Sequence, residues 1–233
     1  MRRATIAVLL LGALVATACG GTTNPLERTI PTTGGGNPAA LPFLSVKQDD
    51  VPPEFIVTLW PNGDRVEGEV TLNMCSAEYP SEALRIARRQ VAVFDQQQRL
   101  VLSTEAVAYQ TPAATAQAFE ELRLAQTNCP RDFLQPSNGG DPTRILFGPA
   151  PDREWPAVPN VERLVFDYIE MNEAGAIGRA ALVFLRRGRI LLGVYVYFQP
   201  DAAPPTVNGA GTVDAITNVF ATRLGDLPQS VTK

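Results

Sequence analysis

The chain has 233 residues, a formal net charge of −4 and no histidine. The charge argues against nucleic acid, which calls for a concentrated basic surface. Without histidine, a Ser-His-Asp triad, a Cys-His dyad and a His-rich zinc site are excluded.

Arg2 and Arg3 precede an apolar run over residues 4–15, interrupted only by Thr5. About 12 residues are too few to span a bilayer but suit the core of a signal peptide. Ala16-Thr17-Ala18-Cys19 follows, then Gly20-Gly21. This resembles the bacterial lipobox, with Ala16 where Leu is usual. The reading is a lipoprotein signal peptide over 1–18, with Cys19 acylated by diacylglycerol and palmitate-type chains. One acyl chain binds membranes marginally and two or three hold firmly. The expected location is therefore the outer face of the cell membrane. The alternative is an ordinary secretory signal cleaved near Ala18, which leaves Cys19 an incidental thiol. Residues 20–41 are rich in Gly, Thr, Pro and Asn. Too little apolar surface is available there to offset ordering entropy, so a flexible tether is placed at 19–44.

About 190 residues remain, enough for one domain with a sizeable core. Its bounds are placed at 45–227, with a C-terminal tail over 228–233. Residues 55–59 predict a strand, and Pro61-Asn62-Gly63-Asp64 a turn. Val66, Val70 and Leu72 suggest a short strand leading to Cys75. Ser81-Glu82 suits a helix cap, yet the run after Ile86 reads as strand to about Asp95. A second strand over 99–109 closes a hairpin through Asp95-Gln96-Gln97-Gln98. A helix follows, with Thr111 as N-cap and Pro112 at its first turn. Ala118, Phe119, Leu122 and Ala125 share its apolar face. Residues 133–159 carry so many prolines and glycines that a loop is expected, with only 143–147 able to pair as a strand.

Three strands come next, over 161–171, 177–185 and 190–198. Their short connections force an antiparallel meander. A last helix, over 212–224, carries Val213, Ile216, Phe220 and Leu224 on one stripe. This order predicts an α+β domain: an antiparallel sheet of about five to seven strands, with two main helices packed on one face. Strand 190–198 is apolar on both sides, and a sheet covered on one face needs only one. Either the proline-rich loop covers the second face or that face lines a cleft. Tyr195, Tyr197 and Trp155 are therefore candidate ligand contacts.

With Cys19 acylated, Cys75 and Cys129 form the remaining pair, expected to be oxidised outside the cytoplasm. A loop of about 55 residues is worth roughly 4 kcal/mol in the chain-entropy model. Two free buried thiols are the alternative. A metal site built on two cysteines without histidine is disfavoured. Neither metal nor cofactor is expected.

Cys19, Asp50-Val51-Pro52-Pro53-Glu54-Phe55, the pair Cys75 and Cys129-Pro130, the helix after Tyr109 and the run from Arg187 to Tyr195 together resemble the PknH-like extracellular sensor domains of actinobacteria. The resemblance covers 45–227. It implies an antiparallel sheet with two helices, a cleft that binds an unidentified ligand, and no enzymatic activity. That family commonly has two disulfides, and this sequence allows one beside an acylated Cys19.

Other chemistry is weaker. Glu120 and Glu121 read as solvated surface, and Asp49-Asp50 as a surface turn before the domain. Asp167 and Glu170 point to opposite faces of a strand and so cannot work as an acid/base pair. Arg88-Arg89 and Arg186, Arg187 and Arg189 could meet an anion, although such arginines are usually just solvated. The expectation is a monomeric, non-catalytic binding or sensor-like module, anchored to a membrane and taking a small molecule, lipid or protein. A lipid or glycolipid carrier and an envelope protein scaffold are the alternatives.

Overall fold

The computed structural model describes residues 38–128, 132–135, 143–149, 155–172, 175–199, 201 and 204–233. Among them, eight strands form one sheet: β1 (Ile56–Leu59), β2 (Arg85–Phe94), β3 (Leu100–Tyr109), β4 (Asp132–Gln135), β5 (Thr143–Pro149), β6 (Glu162–Asn172), β7 (Gly175–Arg187) and β8 (Ile190–Phe198). They lie in the order β1-β2-β3-β8-β7-β6-β5-β4, and every neighbouring pair is antiparallel. The expected α+β class with an antiparallel sheet is what is found. The strand count exceeds the expected five to seven because the proline-rich stretch supplies two strands, β4 and β5. The backbone of Phe133 and Leu134 pairs with Ile145 and Arg144 there.

The helices do not share one face of the sheet, contrary to the sequence expectation. Helix α1 (Leu41–Leu44) and helix α3 (Val213–Asp226) cover one side. Leu41, Leu44, Ile216, Phe220 and Leu224 pack there against Val183, Leu185, Ile190, Leu192 and Val194. Helix α2 (Pro112–Asn128) covers the other side, with Ala118, Phe119 and Leu122 against Val107, Phe166, Phe184 and Leu191. Strand β8 explains the division. Its successive side chains alternate between the two clusters, and seven of its nine residues, Ile190 to Val196, are buried. Each large apolar side chain buried this way contributes about 1.5–3 kcal/mol, so neither face can be left to water. The proline-rich stretch is therefore not what makes the second face possible; α2 is.

Helix α2 begins as its sequence predicts, and α3 is capped by the residue expected as its first. Thr111 Oγ1 accepts from the Ala114 amide at 3.1 Å, and Thr212 Oγ1 from the Ala215 amide at 3.4 Å. Arg187, considered as an anion contact, is instead used at the other end of α3. It donates to the carbonyls of Leu224 at 2.7 Å and Leu227 at 2.6 Å, at the C-terminal end of the helix where carbonyls run out of intrahelical donors.

The domain is wider at both ends than 45–227. Pro38–Ala40 forms a 3₁₀ turn leading into α1, and Ala40, Leu41 and Leu44 are buried. The end of the expected tether is thus core, because Leu41 and Leu44 find apolar partners across α3. Asp50 is likewise no free surface turn. Arg223 on α3 clamps it at 2.5 and 3.0 Å, and it accepts from the Lys47 amide at 2.8 Å. At the far end, 228–233 contains a further turn of helix, α4 (Gln229–Thr232). The Arg189 amide donates to the Thr232 carbonyl at 2.9 Å. Gly188 has φ of +56°, and a Cβ there would stand 1.9 Å from that carbonyl oxygen. The β7–β8 turn can therefore accept this tail only as glycine.

If residues 38–44 belong to the domain, Leu44→Ala should lower stability by about 2–5 kcal/mol, as for other fully buried leucines. Urea unfolding followed by circular dichroism reads this directly. A tether residue would show no change.

Candidate functional site

Helix α2 covers only part of its face of the sheet. Over the rest, strand register sets out a row of residues running across four strands. Gln90 on β2 lies opposite Glu105 on β3, Glu105 opposite Gly193 on β8, and Gly193 opposite Phe184 on β7. Tyr195, Leu182, Tyr197, Tyr168 and Ile145 continue the same surface. The segment from Val70 to Cys75 stands over it as a wall. Together they enclose a cavity of about 340 Å³, within the range of small-molecule sites.

The polar end of the cavity is a buried network. Arg88 Nε donates to Glu105 Oε1 at 2.5 Å, and both side chains are under 5% exposed. Arg88 also donates to Gln90 Oε1 at 2.5 Å and to the Asn62 carbonyl at 3.2 Å. The Tyr195 hydroxyl donates to Glu105 Oε2 at 3.3 Å. Removing two ions from water costs several kcal/mol each, which close geometry and added hydrogen bonds must repay. Burial raises the Glu105 carboxyl above the usual carboxylate range, with Arg88 pulling the other way. Burial, and then the neighbouring Glu105, raises the Tyr195 hydroxyl well above its ordinary value.

Gly193 makes this network possible. The Tyr195 side chain folds back along β8, and a Cβ on residue 193 would lie 2.3 Å from its hydroxyl oxygen. The phenol ring then rests edge-on to Phe184, with centroids 5.8 Å apart.

The wall over the cavity is held by side chains rather than by a strand ladder. The sequence had suggested a strand through Val66, Val70 and Leu72. Gly68, with φ of +77°, turns the chain there instead. Glu82 Oε2 accepts from the Thr71 amide at 2.8 Å, and Oε1 from the Leu72 amide at 3.2 Å. Arg85 donates to the Glu69 carbonyl at 2.6 Å and to Thr71 Oγ1 at 2.8 Å. Arg85 and Glu82 are themselves paired at 3.2 Å. Glu82 belongs to a 3₁₀ turn, Pro80–Leu84, that is fastened to α2: the Ser81 hydroxyl donates to Glu121 Oε2 at 2.5 Å. Glu121 is therefore a structural tie and not simply solvated surface. Behind the wall, the Tyr79 hydroxyl is pushed up to about 12, first by burial and then by Glu121.

Cys75 closes the wall. It is disulfide-bonded, and its φ of +58° lies in the left-handed region, a strain of about 1–2 kcal/mol for a residue with a Cβ. Cys129, its expected partner, lies outside the described residues, as does Cys19.

Of the three candidate ligand contacts, Tyr195 and Tyr197 line the cavity and Trp155 does not. Trp155 packs on the α3 side of the sheet, under the Arg163 guanidinium at 4.9 Å. Arg88, considered as an anion contact, is instead buried against Glu105, and Gln90 and Glu105 are site residues that the sequence expectation does not include. One signal was available. Ser103-Thr104-Glu105 is the only polar interruption of β3, and hairpin register brings Glu105 level with Gln90, two residues from Arg88. A carboxylate within a run of Val, Leu and Ala calls for a buried cation, and Arg88 was the nearest.

Among the described residues, no cluster of three or more His, Cys, Asp or Glu side chains is placed to hold a metal ion. No described helix is long and apolar enough to cross a membrane. No protein-family model matches the sequence. No curated protein matches it. Among solved structures, the chain is similar to the extracellular domain of PknH from Mycobacterium tuberculosis. The two are 9% identical, with a TM-score of 0.44 over 73% of this chain and 76% of that one. No residue role is carried over from it.

The raised Glu105 carboxyl sets a pH dependence. The folded state binds that proton more tightly than the unfolded chain does. The stability this contributes is complete below the ordinary carboxylate range and is lost as pH rises through the folded value. The stability difference between the wild type and Glu105→Gln should therefore move against the wild type as pH rises. Arg88→Met, which strands the carboxylate, should cost about 3–5 kcal/mol at neutral pH, while Arg88→Met with Glu105→Gln should cost less. Urea titrations across the acid and neutral range, done on all three variants, check both signs.

Proposed function

We propose that this chain is a membrane-anchored, extracytoplasmic, non-catalytic module that binds a ligand in the cavity beside α2. The observation that carries the reading is the cavity itself. A space of about 340 Å³ is kept open beside α2, with a buried network of Arg88, Glu105, Gln90 and Tyr195 at its base. A face that needed only covering would be filled by apolar side chains, as the α3 side is. The tyrosines that line it offer flat contact area with a hydroxyl at the end of each ring, a combination suited to a small amphipathic molecule.

Anchoring rests on the sequence. Lipidation of Cys19, a Cys75–Cys129 disulfide and a monomeric state complete the proposal. Acylation takes one cysteine, and the disulfide at Cys75 takes two. A carrier of acyl chains is less favoured by the cavity than a binding module, because Gln90 and Glu105 would face hydrocarbon.

Metabolic labelling with an alkyne fatty acid should tag the wild-type chain and sediment it with membranes, while Cys19→Ser should be unlabelled and released. In parallel, ligand binding at the cavity should raise the melting temperature in a saturable way. A label that persists in Cys19→Ser would refute the anchor. A broad metabolite, glycan and lipid screen with no saturable shift would refute the binding reading.

A further inference from the structure

We infer that the cavity takes a neutral, multiply hydroxylated ligand about the size of one sugar ring; this rests on the ligand-binding reading of the same cavity. The first argument is charge. The carboxylate at the cavity, Glu105, is already neutralised by Arg88 behind it. The next carboxylate, Glu82, is neutralised by Arg85. An anionic ligand would meet Glu105, and among the described residues that line the cavity none is a lysine or arginine to receive it. A cationic ligand would compete with Arg88, which is buried and cannot withdraw into water. A site whose charges are all compensated favours an uncharged guest.

The second argument is the sense of the hydrogen bonds. Gln90 spends its amide oxygen on Arg88, so its NH₂ group is the part left to donate. Glu105 is an acceptor whose two oxygens take Arg88 and Tyr195 as donors, and it retains lone-pair capacity. A donor and an acceptor thus stand opposite each other across one strand pair, with Cβ atoms about 5 Å apart by register. A hydroxyl both donates and accepts. Two neighbouring hydroxyls on a ring can therefore answer both groups at once, which a carbonyl or a simple amine cannot.

The third argument is shape. Tyr168, Tyr195 and Tyr197 border the same space. Their rings provide flat apolar surface for the C–H face of a sugar ring, and the Tyr195 hydroxyl faces Glu105. An acyl chain would use the rings but would strand Gln90 and Glu105, and each buried polar group left unpaired costs about 1–3 kcal/mol.

The test uses the full chain in a detergent without a sugar head group. Saturation-transfer NMR and calorimetry would be run with glucose, galactose and mannose, then with glucuronate, glucosamine and palmitate. The neutral sugars should saturate, with at least one binding tenfold or more tighter than its charged analogue. Gln90→Ala and Tyr168→Ala should each weaken that sugar at least tenfold. Asn73→Ala, at the exposed rim, should weaken it about threefold and stands in if a cavity variant fails to fold, as judged by its melting transition. Binding of palmitate but not of sugars would overturn the sugar inference while leaving a ligand site. Binding of glucuronate as tight as glucose would overturn the charge argument. Sugar binding unchanged in every variant would overturn the placement. Failure of all six probes would overturn the sugar inference, and the broader screen then decides whether the site binds anything.

Discussion

The fold turns on one constraint: β8 is apolar on both faces and lies in the middle of the sheet. Everything that touches it must remove both faces from water. Helices α1 and α3 do so on one side and α2 on the other, and each helix turns its apolar stripe inward. Ridges of Ile, Leu and Val fill the α3 side completely. On the α2 side the helix lies over one part of β3, β8 and β7, so the polar centre of β2 and β3 faces a gap instead of a helix. The cavity is the product of that asymmetry.

A gap beside a sheet would normally collapse or fill, and two devices oppose this. One is the network of Arg88, Glu105, Gln90 and Tyr195, whose members are fixed by one another and by Gly193 beneath the phenol ring. The other is the wall, in which Glu82 and Arg85 replace a strand ladder with side-chain bonds to the backbone of residues 69–72. Both are anchored to β2 and the turn before it. The two sides of the cavity are therefore referenced to a single strand, which keeps their spacing constant even though the wall itself has no regular structure.

Much of the layout was legible in the sequence because it depends on local rules. The bounds of β3 and β8, the Thr111 cap and the Val213-Ile216-Phe220-Leu224 stripe follow from period, propensity and capping within a dozen residues. The two-sided burial of β8 was legible too. Which element covers which face was not, since that depends on where α2 returns to the sheet. The candidate site was legible in halves. Tyr195 and Tyr197 stood out by their alternation on β8. Arg88 and Glu105 did not, because a buried pair looks in sequence like two ordinary surface charges. Trp155 follows from the expectation that the proline-rich stretch reaches the second face of β8, but its ring packs in the α3-side core. Residues 38–44 adjoin a stretch rich in Gly, Thr, Pro and Asn, which masks two leucines at a helical spacing.

The position of β8 also sets the order in which the molecule can assemble. Its partners are β3 on one side and β7 on the other, and about eighty residues separate the paired Ala108 and Ile190. Until that strand arrives, the meander β1–β2–β3 has an open edge at β3, and the meander β4–β5–β6–β7 has another at β7. Neither half can close its core alone, because the residues that join them all sit on one late segment. Closure of the sheet therefore depends on contacts between residues far apart in the chain, an intrinsically slow kind of folding.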